Sequence, residues 1–375
     1  MKHTIKILFF SALSLSSCIS QFIPQTKEDK EFLVIEGLIT DKTDANTIKL
    51  SISTLLGTTN RAVPVTGCTV SVADNLGSNV SFTEVSPGSY KPSSSFQGVI
   101  GRSYVLHITR YSESNALNYE SVPMELKPVP LIDSVFYEKV TIDPGSNVSL
   151  AKDGCQIYLN THDAANKCKF YRWEYDETWK FEIPYSVPNK ICWVTDKSKT
   201  INIKSTTSLT EDKILRYPIN YISNQTDRLS RTYSILVTQY SLNEDEYLYW
   251  EKLENIAEQV GGLYDMIPAS VPSNIYCTSD PAEKVLGFFS VSATSSKRIF
   301  LKGNFRGQFN PYTADQCVAD TIFAGDPLPA NLGTSVWIIV SNFMPPYVVT
   351  TYSKGCYDCT VRGTNIPPDY WIENK

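Results

Sequence analysis

The sequence predicts a mainly β fold: an N-terminal antiparallel β-sandwich followed by a second β-rich domain with one inserted α-helix. Three observations predict it. Short segments alternate apolar and polar residues at intervals of roughly a dozen residues, with Gly and Pro between them. One segment, 171–183, holds that alternation with the single exception of Glu177. A single stretch, 243–260, places apolar residues at helical spacing behind a capping signal.

The chain opens with positive charge at Lys2, His3 and Lys6, an apolar run from Ile7 to Leu15, and small residues before Cys18. This is the layout of a secretory signal. The run is too short to span a bilayer, which needs about 20 apolar residues. Leu15-Ser16-Ser17-Cys18 resembles the bacterial lipobox, an apolar residue and two small ones ahead of a cysteine. The small residues admit a peptidase to the backbone, and the thiol receives the lipid. Residues 1–17 are therefore expected to be removed, Cys18 to be acylated, and 18–30 to form a tether. The best later apolar run, Ser335 to Val340, is only strand length, so membrane attachment rests on Cys18. Removing 17 of the 375 residues leaves 358, and losing Lys2 and Lys6 takes the net charge from −5 to −7. With no long basic run, the chain is not expected to bind nucleic acid, which requires clustered Lys and Arg against phosphates.

The N-terminal sandwich is expected over 31–125. Ile48, Leu50 and Ile52 alternate with Lys49, Ser51 and Ser53; Cys68, Val70 and Val72 alternate with Thr69 and Ser71; Tyr104, Leu106 and Ile108 alternate with Val105, His107 and Thr109. His107 then lies on the outward face as an ordinary surface residue. Pro87-Gly88-Ser89-Tyr90, with Gly98, Gly101 and Tyr104, resembles the turn pattern of carboxypeptidase-regulatory and transthyretin-like sandwiches. Three prolines within 121–132 suit a linker better than a sheet centre, which places the domain boundary there.

The second domain, 126–375, begins with a strand at 133–137 and contains the clearest one in the chain. Tyr171, Trp173, Tyr175, Glu177, Trp179, Phe181 and Ile183 share one face, while Arg172, Glu174, Asp176, Thr178, Lys180 and Glu182 share the other. A bulge is expected near Asp176 and Glu177. The aromatic stripe reads as buried core, with a sugar-stacking platform as the sharper alternative. Further strands are expected at 191–194, 200–204 and 231–240. Ser241 and Glu244 have capping-box spacing, Tyr247, Trp250, Leu253, Ala257 and Val260 follow at helical intervals, and Gly261-Gly262 supplies the stop. Glu244, Asp245 and Glu246 favour the helix dipole and need no catalytic role. Two strands, 285–291 and 297–301, read as a hairpin, and 337–340 as another strand.

Eight further cysteines, Cys68, Cys155, Cys168, Cys192, Cys277, Cys317, Cys356 and Cys359, form an even set suited to disulfides in an oxidising compartment. Spacing alone does not choose among about a hundred pairings. Cys356-Tyr357-Asp358-Cys359 lacks the helical context of a redox pair. It also lacks the second Cys pair or His pair of a structural zinc site. No metal or cofactor is expected.

Several stretches together resemble the lipoprotein family called domain of unknown function 4249. They are Phe32 to Thr40, Tyr233 to Leu242, Glu246 to Trp250, Asn274 to Cys277, Val285 to Phe289, Lys297 to Phe300, and Cys356 to Cys359 with Pro368-Asp369-Tyr370-Trp371. The tail departs from the family in having Gly363-Thr364 where a Gly-Gly is frequent. The resemblance implies an outer-membrane lipoprotein of Bacteroidota type, encoded beside TonB-dependent transporters, with no catalytic residues to carry over.

The expected function is that of a non-catalytic binding or accessory subunit of a TonB-dependent uptake complex, lipid-anchored in the outer membrane. The alternative is a free-standing surface module that binds glycan or protein through its aromatic residues. A hydrolase ranks third. The sequence lacks a Gly-x-Ser-x-Gly elbow, His-Glu-x-x-His, a phosphate loop and a calcium loop, yet two suitably spaced carboxylates would suffice for a glycosidase. Asp133-Ser134-Val135 and Asp320-Thr321-Ile322 resemble a bacterial O-glycosylation triplet, which makes Ser134 and Thr321 candidate modification sites. The tether from Ile19 to Gln25 carries no acidic residue, so surface or periplasmic facing stays open.

Overall fold

The computed structural model describes residues 31–53, 62–111, 115–142, 152–259 and 271–302, then the shorter runs 305–310, 317, 320–323, 326–327, 336–340, 347–351 and 353–372. The signal at 1–17, Cys18, the tether 18–30 and the expected helix stop at Gly261-Gly262 lie outside these residues. The fold is mainly β, with one α-helix among the described residues.

The strands of the first half are β1 (Leu33–Thr40), β2 (Thr47–Ile52), β3 (Val63–Pro64), β4 (Thr69–Asp74), β5 (Asn79–Ser86), β6 (Ser89–Pro92), β7 (Ser103–Tyr111), β8 (Ala116–Ser121) and β9 (Met124–Glu125). The second half continues with β10 (Ile132–Ile142), β11 (Lys152–His162), β12 (Phe170–Glu182), β13 (Ile191–Lys197), β14 (Asn202–Ser205), β15 (Lys213–Ile222) and β16 (Tyr233–Ser241). Helix α1 (Glu244–Gln259) follows, then β17 (Ile275–Cys277), β18 (Val285–Ser292), β19 (Thr294–Leu301), β20 (Asp320–Phe323), β21 (Val336–Val340) and β22 (Tyr347–Thr351).

The first sheet runs β17-β8-β7-β4-β5-β6-β2-β1-β18, with β3 on β2 and β9 on β7. Its inward residues, among them Ile35, Ile48, Leu50, Leu106 and Phe289, form a single core. Two of its strands come from beyond residue 270, so the boundary expected between 125 and 126 does not separate the sheets. β18 lies parallel to β1, and at Gly287, φ +91°, an added Cβ would stand 2.1 Å from the Ile35 carbonyl oxygen. Only glycine combines that backbone with that approach.

In the second half, the three-stranded sheet β10-β11-β15 packs on a five-stranded sheet, β13-β12-β16-β19 with β14 also on β12. The inward face of β12 is the predicted aromatic stripe, from Tyr171 and Trp173 to Trp179 and Phe181, all buried. Each such ring contributes about 1.5–3 kcal/mol by leaving water. Trp173 stacks on Tyr171, and its indole N–H donates to the Gln239 side-chain oxygen at 2.9 Å. The expected bulge is absent. Pairing with β16 runs in unbroken register from Tyr171↔Ser241 to Trp179↔Tyr233. The change occurs instead on the other edge, where β14 pairs with 170–173 and β13 with 176–182.

The expected hairpin is also corrected. β18 and β19 occupy nearly the predicted residues, but only Ala293 separates them, and Ser292-Ala293-Thr294 offers no turn chemistry. The chain therefore crosses from the first sheet, where β18 pairs with β1, to the second, where β19 pairs with β16. A fourth sheet, β20-β22-β21, completes the strands.

Helix α1 begins as predicted, but the capping box does not form. Ser241 ends β16, and its hydroxyl donates to the Lys127 carbonyl at 2.7 Å and accepts from the Ala293 N–H at 3.1 Å. The helix wedges between the sheets, with Tyr249 against Phe288 of β18 and Tyr247 against Phe170 of β12. On the same outer face of the five-stranded sheet lies the tail. Trp371 packs edge-on to Trp193 and Phe300, and the Tyr370 ring covers the Arg298 guanidinium.

Two disulfides hold this region: Cys192–Cys359 and Cys317–Cys356. Each cysteine of the C-x-x-C thus bonds a distant partner, which accords with a structural reading of the motif. Cys68, Cys155, Cys168 and Cys277 are free thiols, which narrows the expected set of eight to four. Cys155 and Cys168 are enclosed in the second core, where burial pushes each thiol up to about 12.

Candidate functional site

In the second half, the turn after β13 and the connection between β15 and β16 flank a cleft of about 200 Å3. Its floor is built by β12. Glu177 breaks the aromatic stripe as its one inward charge, and an inward charge needs a partner. That partner is Arg228, whose Nε donates to Glu177 Oε1 at 2.9 Å. Tyr233 Oη donates to Glu177 Oε2 at 2.7 Å, and burial holds the Tyr233 phenol well above its usual range. The Arg228 guanidinium lies over the Trp179 ring, 4.8 Å from its centroid. Its Nη2 stands 3.9 Å from Asp196 Oδ2. Asp196 is the direct cross-strand neighbour of Glu177. A hydrogen bond from Lys199 at 2.9 Å holds its carboxyl below the usual carboxylate range.

The two carboxylates therefore stand side by side with one guanidinium between them. A glycosidase needs one carboxyl held protonated near neutral pH. Here Asp196 is shifted the opposite way, and both oxygens of Glu177 already accept hydrogen bonds. The arrangement is suited to holding a ligand on a fixed arginine. It is poorly suited to proton transfer.

The β15–β16 connection divides this cleft from a second one of about 540 Å3, lined by Phe181, Glu182, Lys190, Arg231 and Phe309 among others. Glu182 pairs with Lys190 at 2.7 Å and Arg231 at 2.8 Å, while Asp227 holds Arg362 of the tail at 2.9 Å. The connection is thus pinned on both sides. At the opposite end of the sheets a polar cleft of about 400 Å3 is lined by His162, Asp163 and Asp212. The Asp163 carboxylate there accepts three backbone N–H bonds, from Ala165, Lys167 and Cys168.

A separate charged cluster lies under helix α1. Arg172 is held between the rings of Tyr240 and Trp250, at 4.6 and 4.4 Å, and is hydrogen-bonded to Glu174. Glu246 is fully enclosed beside it, and burial raises its carboxyl to about 7. The first-turn acids therefore differ in kind: Glu244 and Asp245 are exposed, whereas Glu246 is core. Arg172 and Glu246 are buried here while Glu174 reaches the surface, and the cluster joins the two halves.

The sequence-predicted residues are not brought together. Trp173 and Trp179 are both buried, which removes the sugar-stacking platform they offered. Ser134 is part-buried and its hydroxyl accepts from Asn160 Nδ2 at 3.0 Å; Thr321 lies in β20, paired with Val349. His107 faces outward beside Glu120. Among the described residues no group of three or more His, Cys, Asp or Glu forms a metal cluster. Sequence reasoning missed Arg228 as a site residue, although Glu177 on an aromatic face signalled that a cation must meet it.

A β-rich body with a polar cleft is thus the class of molecule. Residues 19–298 match the family described as domain of unknown function (DUF4249), and the chain belongs to it. The tail with Cys356, Cys359 and Trp371 lies beyond the matched residues. No curated protein matches the chain.

Proposed function

We propose that this protein is a lipid-anchored outer-membrane protein that serves as a non-catalytic binding or accessory subunit of a TonB-dependent uptake complex. The observation that carries the binding half is the cleft at Arg228, where the guanidinium is fixed by Glu177 and Trp179, its Nη2 stands 3.9 Å from Asp196, and neither Nη makes a hydrogen bond among the described residues. A preorganised donor of this kind favours binding because little ordering is left to be done when the ligand arrives. The anchoring half is supported by Leu15-Ser16-Ser17-Cys18 and by a family match that begins at residue 19. No helix among the described residues is long and apolar enough to cross a membrane. The family resemblance motivates the transporter.

Co-purification tests this reading. A tagged chain extracted in mild detergent is expected to bring a β-barrel transporter with it, and Cys18→Ala is expected to leave the membrane fraction. Repeated recovery of the chain without a transporter would remove the accessory role.

One observation favours the alternative of a free-standing surface module. On the outer face of the three-stranded sheet, Arg216 lies over the stacked rings of Phe136 and Tyr158 and pairs bidentately with Glu138. Arginine over aromatic rings is frequent at protein contacts.

A further inference from the structure

We propose that the Arg228 cleft binds a small sugar acid, with the ligand carboxylate on the arginine and the ligand hydroxyls on the polar groups around it. This deepens the binding reading above and rests on it. Of the five N–H donors of Arg228, only Nε makes a hydrogen bond among the described residues. The Nη edge, whose Nη2 stands 3.9 Å from Asp196 Oδ2 and beyond hydrogen-bond reach of it, is a fork of matched geometry for a planar carboxylate. The Trp179 ring and Glu177 fix the fork before any ligand arrives.

The charge count selects the ligand further. Arg228, Lys197 and Lys199 line the cleft against Glu177 and Asp196, one positive charge in excess. That excess matches a single carboxylate. A phosphate dianion would place its second charge against Asp196, which Lys199 keeps ionised. Beside Tyr175, Tyr221 and Ile222, the uncharged lining is polar: Thr200, Asn220, Ser223 and Thr226 supply hydroxyls and an amide. These groups both donate and accept, as a sugar hydroxyl does. The volume, about 200 Å3, is below the roughly 300–1,000 Å3 of drug-sized pockets and suits one ring.

The test is calorimetric titration of the intact lipoprotein in detergent with glucuronate, glucose and inorganic phosphate. Glucuronate is expected to bind at least tenfold more tightly than either of the others. Arg228→Lys keeps a cation against Glu177 but loses the fork, and is expected to weaken glucuronate at least tenfold. Thr226→Val is expected to weaken it severalfold while the protein still folds, since it gives up only a 3.3 Å hydrogen bond to the Ser223 carbonyl, and it carries the test if Arg228→Lys does not fold. Equal affinity for glucose and glucuronate, tighter binding of phosphate, no binding of any probe, or full affinity in both variants would each overturn the proposal. Co-purification of a transporter without glucuronate binding would remove the ligand and leave the accessory role. The converse would remove the role and leave the ligand.

Discussion

At position 246 a carboxyl is enclosed by the helix that carries it, by Arg172 and Glu174 of β12, and by Ser290 of β18. Its folded value of about 7 exceeds the ordinary 4.5. Folding therefore favours the protonated form: the contribution to stability is complete below pH 4.5 and is lost as pH rises through 7. The difference corresponds to ~3 kcal/mol. Thermal unfolding is expected to show stability falling from pH 5 to pH 8, and Glu246→Gln to flatten that fall and to be the more stable protein at pH 8. Gly287 makes a second prediction. Gly287→Ala forces a side chain into φ +91° against Ile35, and is expected to cost at least ~3 kcal/mol or prevent folding, as read by circular dichroism. Neither residue announced itself in the sequence. An acid in a first helical turn reads as dipole compensation until the turn is found to be covered, and a glycine within an apolar run does not say which strand will lie beside it.

Among the elements, β12 was the most legible because its sequence alternates and one face is almost wholly aromatic, although Arg172 and Thr178 of the other face are also buried. Periodicity depends only on which side meets the core. Partner choice depends on distant residues, and this is why β18 and β19 were legible as strands but misread as a hairpin. The capping box at Ser241 failed for a similar reason, since its hydroxyl is taken by the linker at Lys127. Trp173→Phe tests the β12 account: it keeps a ring but leaves the side-chain oxygen of Gln239 without its donor. The expected cost is about 1–3 kcal/mol in chemical denaturation. The tail is the opposite case, an element with little strand pattern held by covalent bonds. Cys359→Ser removes the Cys192–Cys359 bridge, which spans 167 residues. It is expected to cost about 2–5 kcal/mol and to make the segment around Tyr370 and Trp371 sensitive to limited proteolysis. The cysteine count announced disulfides, while their partners were set by which strands the fold brings together.

For the molecule as a whole, the two halves are joined at several points. β18 passes directly into β19, Thr294 donates twice to Asp41, and the Gln239 side chain holds the Pro130 carbonyl of the linker at 2.9 Å. Helix α1 covers the same seam. A boundary drawn at residue 125 was reasonable from the prolines, yet β17 and β18 return to the first sheet from far along the chain. The mature protein is accordingly expected to unfold in one calorimetric transition, and two separated transitions would show that these links do not couple the halves. The candidate site was legible only in part. Glu177 marked the place where the stripe must meet a cation, but Arg228 lies in a connection whose path no local pattern sets.

The central claim is that this coupled β body is anchored at Cys18 and works by contact with a transporter and a ligand. Native mass measurement of the protein extracted from membranes in mild detergent tests it most directly. The account predicts an acylated chain of 358 residues in an assembly heavier than that chain by at least one β-barrel subunit, lost in Cys18→Ala. An unacylated chain found alone would contradict it.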